Sequence, residues 1–159
     1  QQIQQNRIQV NITIDDDIVV DTMLLSHPGN CLGYRVTFGG KSICYVTDNE
    51  LYTPESGFQN LPYEAKLIDF IKGADILITD TTYFDEDYPK HINWGHSAVG
   101  RVVEIAAAAE VKSLHLFHHD PDQSDDDIDR KLSVARDAMT GLSSNTLVEA
   151  PKEGATYTP

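Results

Sequence analysis

Residues 74–84 read ADILITDTTYF. The first six form a short unbroken apolar run, the pattern of a strand buried on both faces, and Asp80 stands at its end. Upstream, Leu67, Ile68 and Ile71 recur at helical spacing within 61–72, and Gly73 ends that segment. Downstream, 81–95 reads as a long loop. Ser97 is then the expected cap of a helix over 98–111, in which Ala106–Ala109 favours helix strongly. Ser113–Phe117 is a second short strand, followed by His118-His119-Asp120-Pro121. Ser124 is the expected cap of a helix running to about Met139, with Asp125, Asp126 and Asp127 at the positive end of its dipole and Gly141 as its stop. Leu147–Ala150 is a last strand. This alternation predicts a sheet covered by helices, an α/β layer arrangement.

The first third of the chain has a different texture. Residues 1–7 are polar and glutamine-rich and, like 152–159, are expected to be loose. Ile8, Val10, Ile12 and Ile14 alternate with polar residues as in a half-buried strand, and Asp15-Asp16-Asp17 marks a turn into the apolar run Ile18–Leu25. LGYRVTF (32–38) and SICYV (42–46) flank Gly39-Gly40-Lys41 and read as a hairpin, with Tyr34 and Phe38 as core or sheet-face residues. Residues 49–60 are loop-like, with Pro54 and Gly57 as breakers. There is no internal repeat and no linker, so 1–159 reads as one domain or a half-domain.

Composition narrows the function. The chain carries 25 Asp plus Glu against 12 Lys plus Arg, a net charge of −13. That is the reverse of a nucleic-acid binder's basic footprint and argues against extended contact with nucleic acid or an anionic membrane. With 40% hydrophobic and 23% charged residues the chain is not of the disordered class. No apolar run approaches the ~20 residues of a membrane span, and no signal-like segment opens the sequence. Cys31 and Cys44 are too few for a disulfide scaffold, although their spacing leaves one bridge open, and a reducing cytoplasm is the expected compartment.

His27, Asp48 and His118 all lie just past expected strand ends, where loops carry function on a rigid scaffold. Imidazole nitrogen and carboxylate oxygen suit zinc, manganese or iron, and a carboxylate can bridge two ions. Singly, each histidine is more often a loop residue than a ligand. His96, in Trp94-Gly95-His96-Ser97 before a helix, could give a proton to a leaving oxygen, with Asp80 as its carboxylate partner. Taken alone, His96 and Asp80 read more simply as helix-start and turn residues. DPDQSDDDID lacks the glycine and closing glutamate of a calcium loop, since Asp125 and Lys131 stand there, so Asp120 is at most a supporting group. Asp85-Glu86-Asp87 reads as a solvated loop, His91 as an exposed loop residue and His115, mid-strand, as a packed histidine.

Together SHPGNCLGYRV (26–36), YVTDNE (45–50), ILITDTTYF (76–84), WGHS (94–97) and LHLFHHDP (114–121) are similar, in order and spacing, to the metallo-β-lactamase-fold hydrolases. The nearest branch is the phosphodiesterase type, which includes ribonuclease Z and bacterial cyclic-nucleotide phosphodiesterases. The resemblance covers roughly residues 18–130 and implies an αββα sandwich. It assigns His27 to the third metal-binding motif, Asp48 to the bridging aspartate and His118 (or its neighbour His119) to the last histidine ligand. It also makes His96 and Asp80 an acid pair directed at the scissile phosphate. Two divalent ions are implied, zinc first, with manganese or iron as alternatives.

The family's HxHxDH signature is missing from residues 1–159. The expectation is therefore a C-terminal half of the fold, incomplete without an N-terminal half on the same or another chain, within a homo-oligomer. The implied substrate is a small phosphodiester such as a cyclic nucleotide. A lactone or thioester hydrolase, or a degenerate binding module without catalysis, are the competing expectations.

Overall fold

Seven strands form one sheet in chain order in the computed structural model, which describes residues 12–15 and 17–159. They are β1 (Ile12–Asp15), β2 (Ile18–Leu24), β3 (Leu32–Phe38), β4 (Lys41–Val46), β5 (Ile76–Asp80), β6 (Ser113–Phe117) and β7 (Leu147–Glu149). Strands β1 to β4 pair antiparallel, whereas β4 to β7 pair parallel. The expected loose start at 1–7, with Ile8 and Val10, lies outside the described residues. Gly39 and Gly40 alone close the β3–β4 hairpin, pairing Phe38 with Lys41, and both take positive φ, the twist that a two-residue turn requires.

Each parallel connection carries one α-helix: α1 (Leu61–Ile71), α2 (Val99–Ala108) and α3 (Asp125–Gly141). Parallel strands added in one direction by right-handed crossovers place every helix on the same face. Accordingly α2 packs against both α1 and α3. Val99, Val102, Val103 and Ala106 form the buried stripe of α2, and Leu67, Ile71, Ala135 and Met139 join them over Cys44, Val46, Leu77 and Leu114 of the sheet. No helix among the described residues is long and apolar enough to cross a membrane.

Among the described residues, no helix covers the other face. Tyr34, Val36 and Phe38 of β3, Tyr45 of β4 and Phe117 of β6 remain exposed there, so Tyr34 and Phe38 are sheet-face and not core residues. The tail folds back to this face at one point, where the Tyr157 ring lies 4.8 Å from that of His115. His115 is buried in β6, as its mid-strand position predicts, and burial lowers its pKa.

Several local expectations change. Ser97 does not cap α2, which starts after Ala98 without a side-chain cap. Its buried hydroxyl donates instead to the Asn49 carbonyl (2.6 Å) and accepts from the Leu51 N–H (3.0 Å), long-range partners that no local pattern reveals. Ser124 does cap α3, reciprocally with Asp127 in a capping box, but the helix runs on through Gly141. Cys31 and Cys44 are free thiols. His91 is half-buried, stacked on Tyr83 with ring centroids 4.3 Å apart.

Candidate metal centre

Because β3 runs opposite to both of its neighbours, β2 and β4 point the same way as β5 and β6. The loops following all four strands therefore meet at one rim, the position where open α/β sheets carry ligands. His27, Asp48, Asp80 and His118 each follow or end one of these strands, and His96 is brought in by the 81–98 loop.

Asp80 is fully buried and anchors the site. Its Oδ2 lies 2.7 Å from His96 Nδ1, so that nitrogen carries a proton, and Nε2 carries a second one when the ring is an imidazolium. Backbone N–H groups of Asn49, Thr82 and Ser97 also donate to Asp80. The hydrogen bond to Asp80 raises the His96 pKa; burial opposes this, and the charges of Asp80, Asp48 and Glu50 add to the rise. The protonated imidazole is thereby favoured.

His118 stacks on His96, with centroids 4.9 Å apart, and its Nε2 lies 2.9 Å from Asp48 Oδ1. Thr82 Oγ1 is 2.7 Å from both Asp80 Oδ1 and the His118 carbonyl, so its single proton serves one of them at a time. His118 is held at φ +54°, a left-handed conformation that L-residues adopt at a cost. His119 turns away, towards Lys131 Nζ at 3.3 Å. The structure thus brings His118, and not its neighbour, into the cluster.

His27 stands at the edge of this group. Its Nδ1 accepts the Gly29 N–H, and its ring centroid is 5.8 Å from that of His96. The ring fits only because residue 95 is glycine: a Cβ there would fall 2.3 Å from His27 Cδ2, on a backbone already at φ +93°.

Asp48, Asp80, His96 and His118 each offer one ligand atom within 4.8 Å of the others. Two carboxylates and two imidazoles are the oxygen and nitrogen donors that a zinc, manganese or iron ion takes, so the donor set fits a divalent cation. Asp80 already accepts from several N–H groups, whereas Asp48 and His118 are half-exposed and face each other.

Two supporting residues escaped the sequence reading. Glu50 is buried, and its carboxylate accepts from Tyr88 Oη, Asn93 N and Gly95 N, each at 2.8 Å, which fixes the loop that carries His96. Nothing local marks it. Lys131 is buried on α3 and donates to the Thr81 and Thr82 carbonyls and to Gln123 Oε1. Burial pulls its pKa down to about 8, against the pull of Asp120, Asp80 and Asp127. Burial also takes neighbouring His119 down to about 4, with Lys131 and His118 adding to the effect. A signal for Lys131 did exist, since it shares the 131, 135, 139 stripe with Ala135 and Met139. Asp120 accepts the Asp122 N–H in a tight turn and stays outside the cluster.

A family profile described as the beta-lactamase superfamily domain matches residues 10–119. Ribonuclease Z of Saccharolobus solfataricus is 41% identical over 103 residues, which is 65% of this chain and 30% of that protein. Among solved structures, the metallo-beta-lactamase fold protein YhfI from Bacillus subtilis has a TM-score of 0.67 at 21% identity, over 94% of this chain and 52% of that one. Human tRNase Z, short form, has a TM-score of 0.57 at 24% identity, over 70% of this chain and 40% of that one. The chain thus spans less than a third of the ribonuclease Z it matches and about half of the YhfI chain, and it carries part of the fold. From the profile, the sheet and the rim cluster together, the chain belongs to the β-lactamase superfamily, with the metallo-β-lactamase fold and ribonuclease Z homologues.

Proposed function

We propose that this chain supplies one part of the active site of a metal-dependent phosphodiesterase acting on small phosphodiesters, cyclic nucleotides among them. Asp48 would bridge two divalent ions, with zinc the first choice, while His27 and His118 would each hold one. When bound, such ions supply Lewis acidity to the phosphoryl oxygens and acidify water. His96 Nε2 gives its proton to the departing alkoxide as the P–O bond breaks. Asp80, accepting Nδ1–H, keeps the ring oriented and stabilises its positive charge.

The observation that carries this reading is the 2.7 Å Asp80–His96 pair standing against the Asp48–His118 pair. A lactone or thioester hydrolase has less use for a buried carboxylate–imidazole acid so placed, and a pure binding module has less still. The net charge of −13 favours a small substrate over a long polyanion. The remaining donors of a binuclear site, the HxHxDH set, are proposed to come from a second sheet covering the face of Tyr34, Val36 and Phe38, on the same or another chain. A homo-oligomer in the cytoplasm is part of the same proposal.

The test is metal analysis and hydrolysis of bis(p-nitrophenyl) phosphate by the full-length protein. About two ions per active site with phosphodiester turnover is the expected result. Absence of bound metal overturns the hydrolase in favour of the binding module, and turnover of thioesters or lactones alone overturns the bond assignment.

A further inference from the structure

Trp94 is the single tryptophan of the 159 residues, and the residue is 60% exposed. It sits two residues before His96, so its Cα lies within about 7.6 Å of that of the candidate acid. Exposed apolar side chains are common in mobile loops, but this one is braced on both sides. The buried Glu50 carboxylate accepts the N–H groups of Asn93 and Gly95, the residues flanking the indole. Tyr52 Oη donates to Asn93 Oδ1 at 2.9 Å, and the Trp94 N–H donates to the His91 carbonyl.

The indole also ends a line of rings that begins in the cluster. His118 stacks on His96; His96 meets Tyr83 edge-on at 6.4 Å; Tyr83 stacks on His91; and His91 meets Trp94 edge-on at 4.8 Å. Tyr52 and Phe58, with centroids 5.8 Å apart, add aromatic surface beside Asn93. A large apolar ring in the open, on a braced loop two residues from the candidate acid, is a surface for a flat partner.

We infer that Trp94 is a stacking platform for a planar ring carried by the substrate, so that the preferred phosphodiesters bear a nucleobase or aryl group. The inference rests on the phosphodiesterase reading above and names its substrate class. Stacking needs only a π-face, so it confers preference for a ring without reading its identity.

The test uses the metal-loaded full-length protein, with adenosine 3′,5′-cyclic phosphate and the ringless phosphodiester glycerophosphocholine as probes. The emission difference between wild type and Trp94→Phe isolates this indole. Saturable quenching by the cyclic nucleotide, and none by glycerophosphocholine, is the expected result. Trp94→Ala should raise KM for the nucleotide roughly 10- to 100-fold with kcat within about threefold, while Trp94→Phe keeps most of the affinity.

Unquenched emission, or equal KM for wild type and Trp94→Ala, overturns the platform. So does a fall in kcat on both substrates alike, which would make Trp94 a brace for His96. An indole shielded from acrylamide in the intact protein also overturns it, because another segment then covers the ring. Turnover of glycerophosphocholine but not the nucleotide sinks the platform and leaves the phosphodiesterase standing. Quenching without any hydrolysis does the opposite.

Discussion

Strand β5 is bracketed by two buried aspartates with opposite surroundings. Asp75, just before the strand, accepts from Lys112 Nζ (2.8 Å), Lys41 Nζ (3.3 Å) and the Ser42 N–H (2.9 Å). Asp80, at its other end, accepts from backbone N–H groups and has histidines, His96 and His118, as its ionisable pair partners. A carboxylate saturated by permanent cations holds its proton state fixed and serves as a staple. A carboxylate facing imidazoles shares its charge with groups that can take up and hand on a proton. The same residue type, five positions apart in the chain, thus serves as a staple at one rim and faces candidate proton carriers at the other.

The comparison predicts a graded series of effects. At the chemical rim, Asp48→Ala should abolish both metal retention and phosphodiester turnover; unchanged metal content by mass spectrometry removes its bridging role. His96→Ala should keep the metal and slow turnover by about 10²–10⁴-fold, with normal turnover removing the acid assignment.

At the staple rim, Asp75→Asn should leave turnover intact and cost about 1–3 kcal/mol of stability at pH 7 in urea titrations. Hydrogen bonds from Lys112 and Ser42 hold the Asp75 pKa down at about 2. Unfolded, the same carboxyl titrates near 3.9. Between these values the unfolded chain binds the extra proton, so the staple's contribution is complete above about pH 4 and is lost as pH falls towards 2. A variant penalty unchanged at pH 2 breaks the comparison. Ser124→Ala, which touches neither aspartate, should cost only about 1 kcal/mol through the lost α3 cap, read as a small fall in Tm with unchanged turnover.

What the sequence made legible follows from the range of the forces involved. The β3–β4 hairpin depends on Gly39-Gly40, β5 on an unbroken apolar run and the α3 start on Ser124 with Asp127; each is local and each is present as expected. Ser97 was misleading because its hydroxyl is claimed by Asn49 and Leu51, more than 40 residues away. Glu50 and Lys131 carry no local sign of their partners for the same reason, since these include backbone groups on distant loops. The convergence of Asp48, Asp80, His96 and His118 was foreseeable from strand-end positions joined to the family likeness, whereas either signal by itself was too weak.

The left-handed backbone of His118 has a kinetic corollary. Its conformational penalty, roughly 1–2 kcal/mol for an L-residue, is met while the chain folds and not when an ion arrives. With Thr82 beside its carbonyl, the ring already points at Asp48. If His118 is the ligand proposed above, uptake of a cation requires no hinge to swing at this residue, and its speed should follow the water-exchange rate of the incoming ion, not the breathing of the loop.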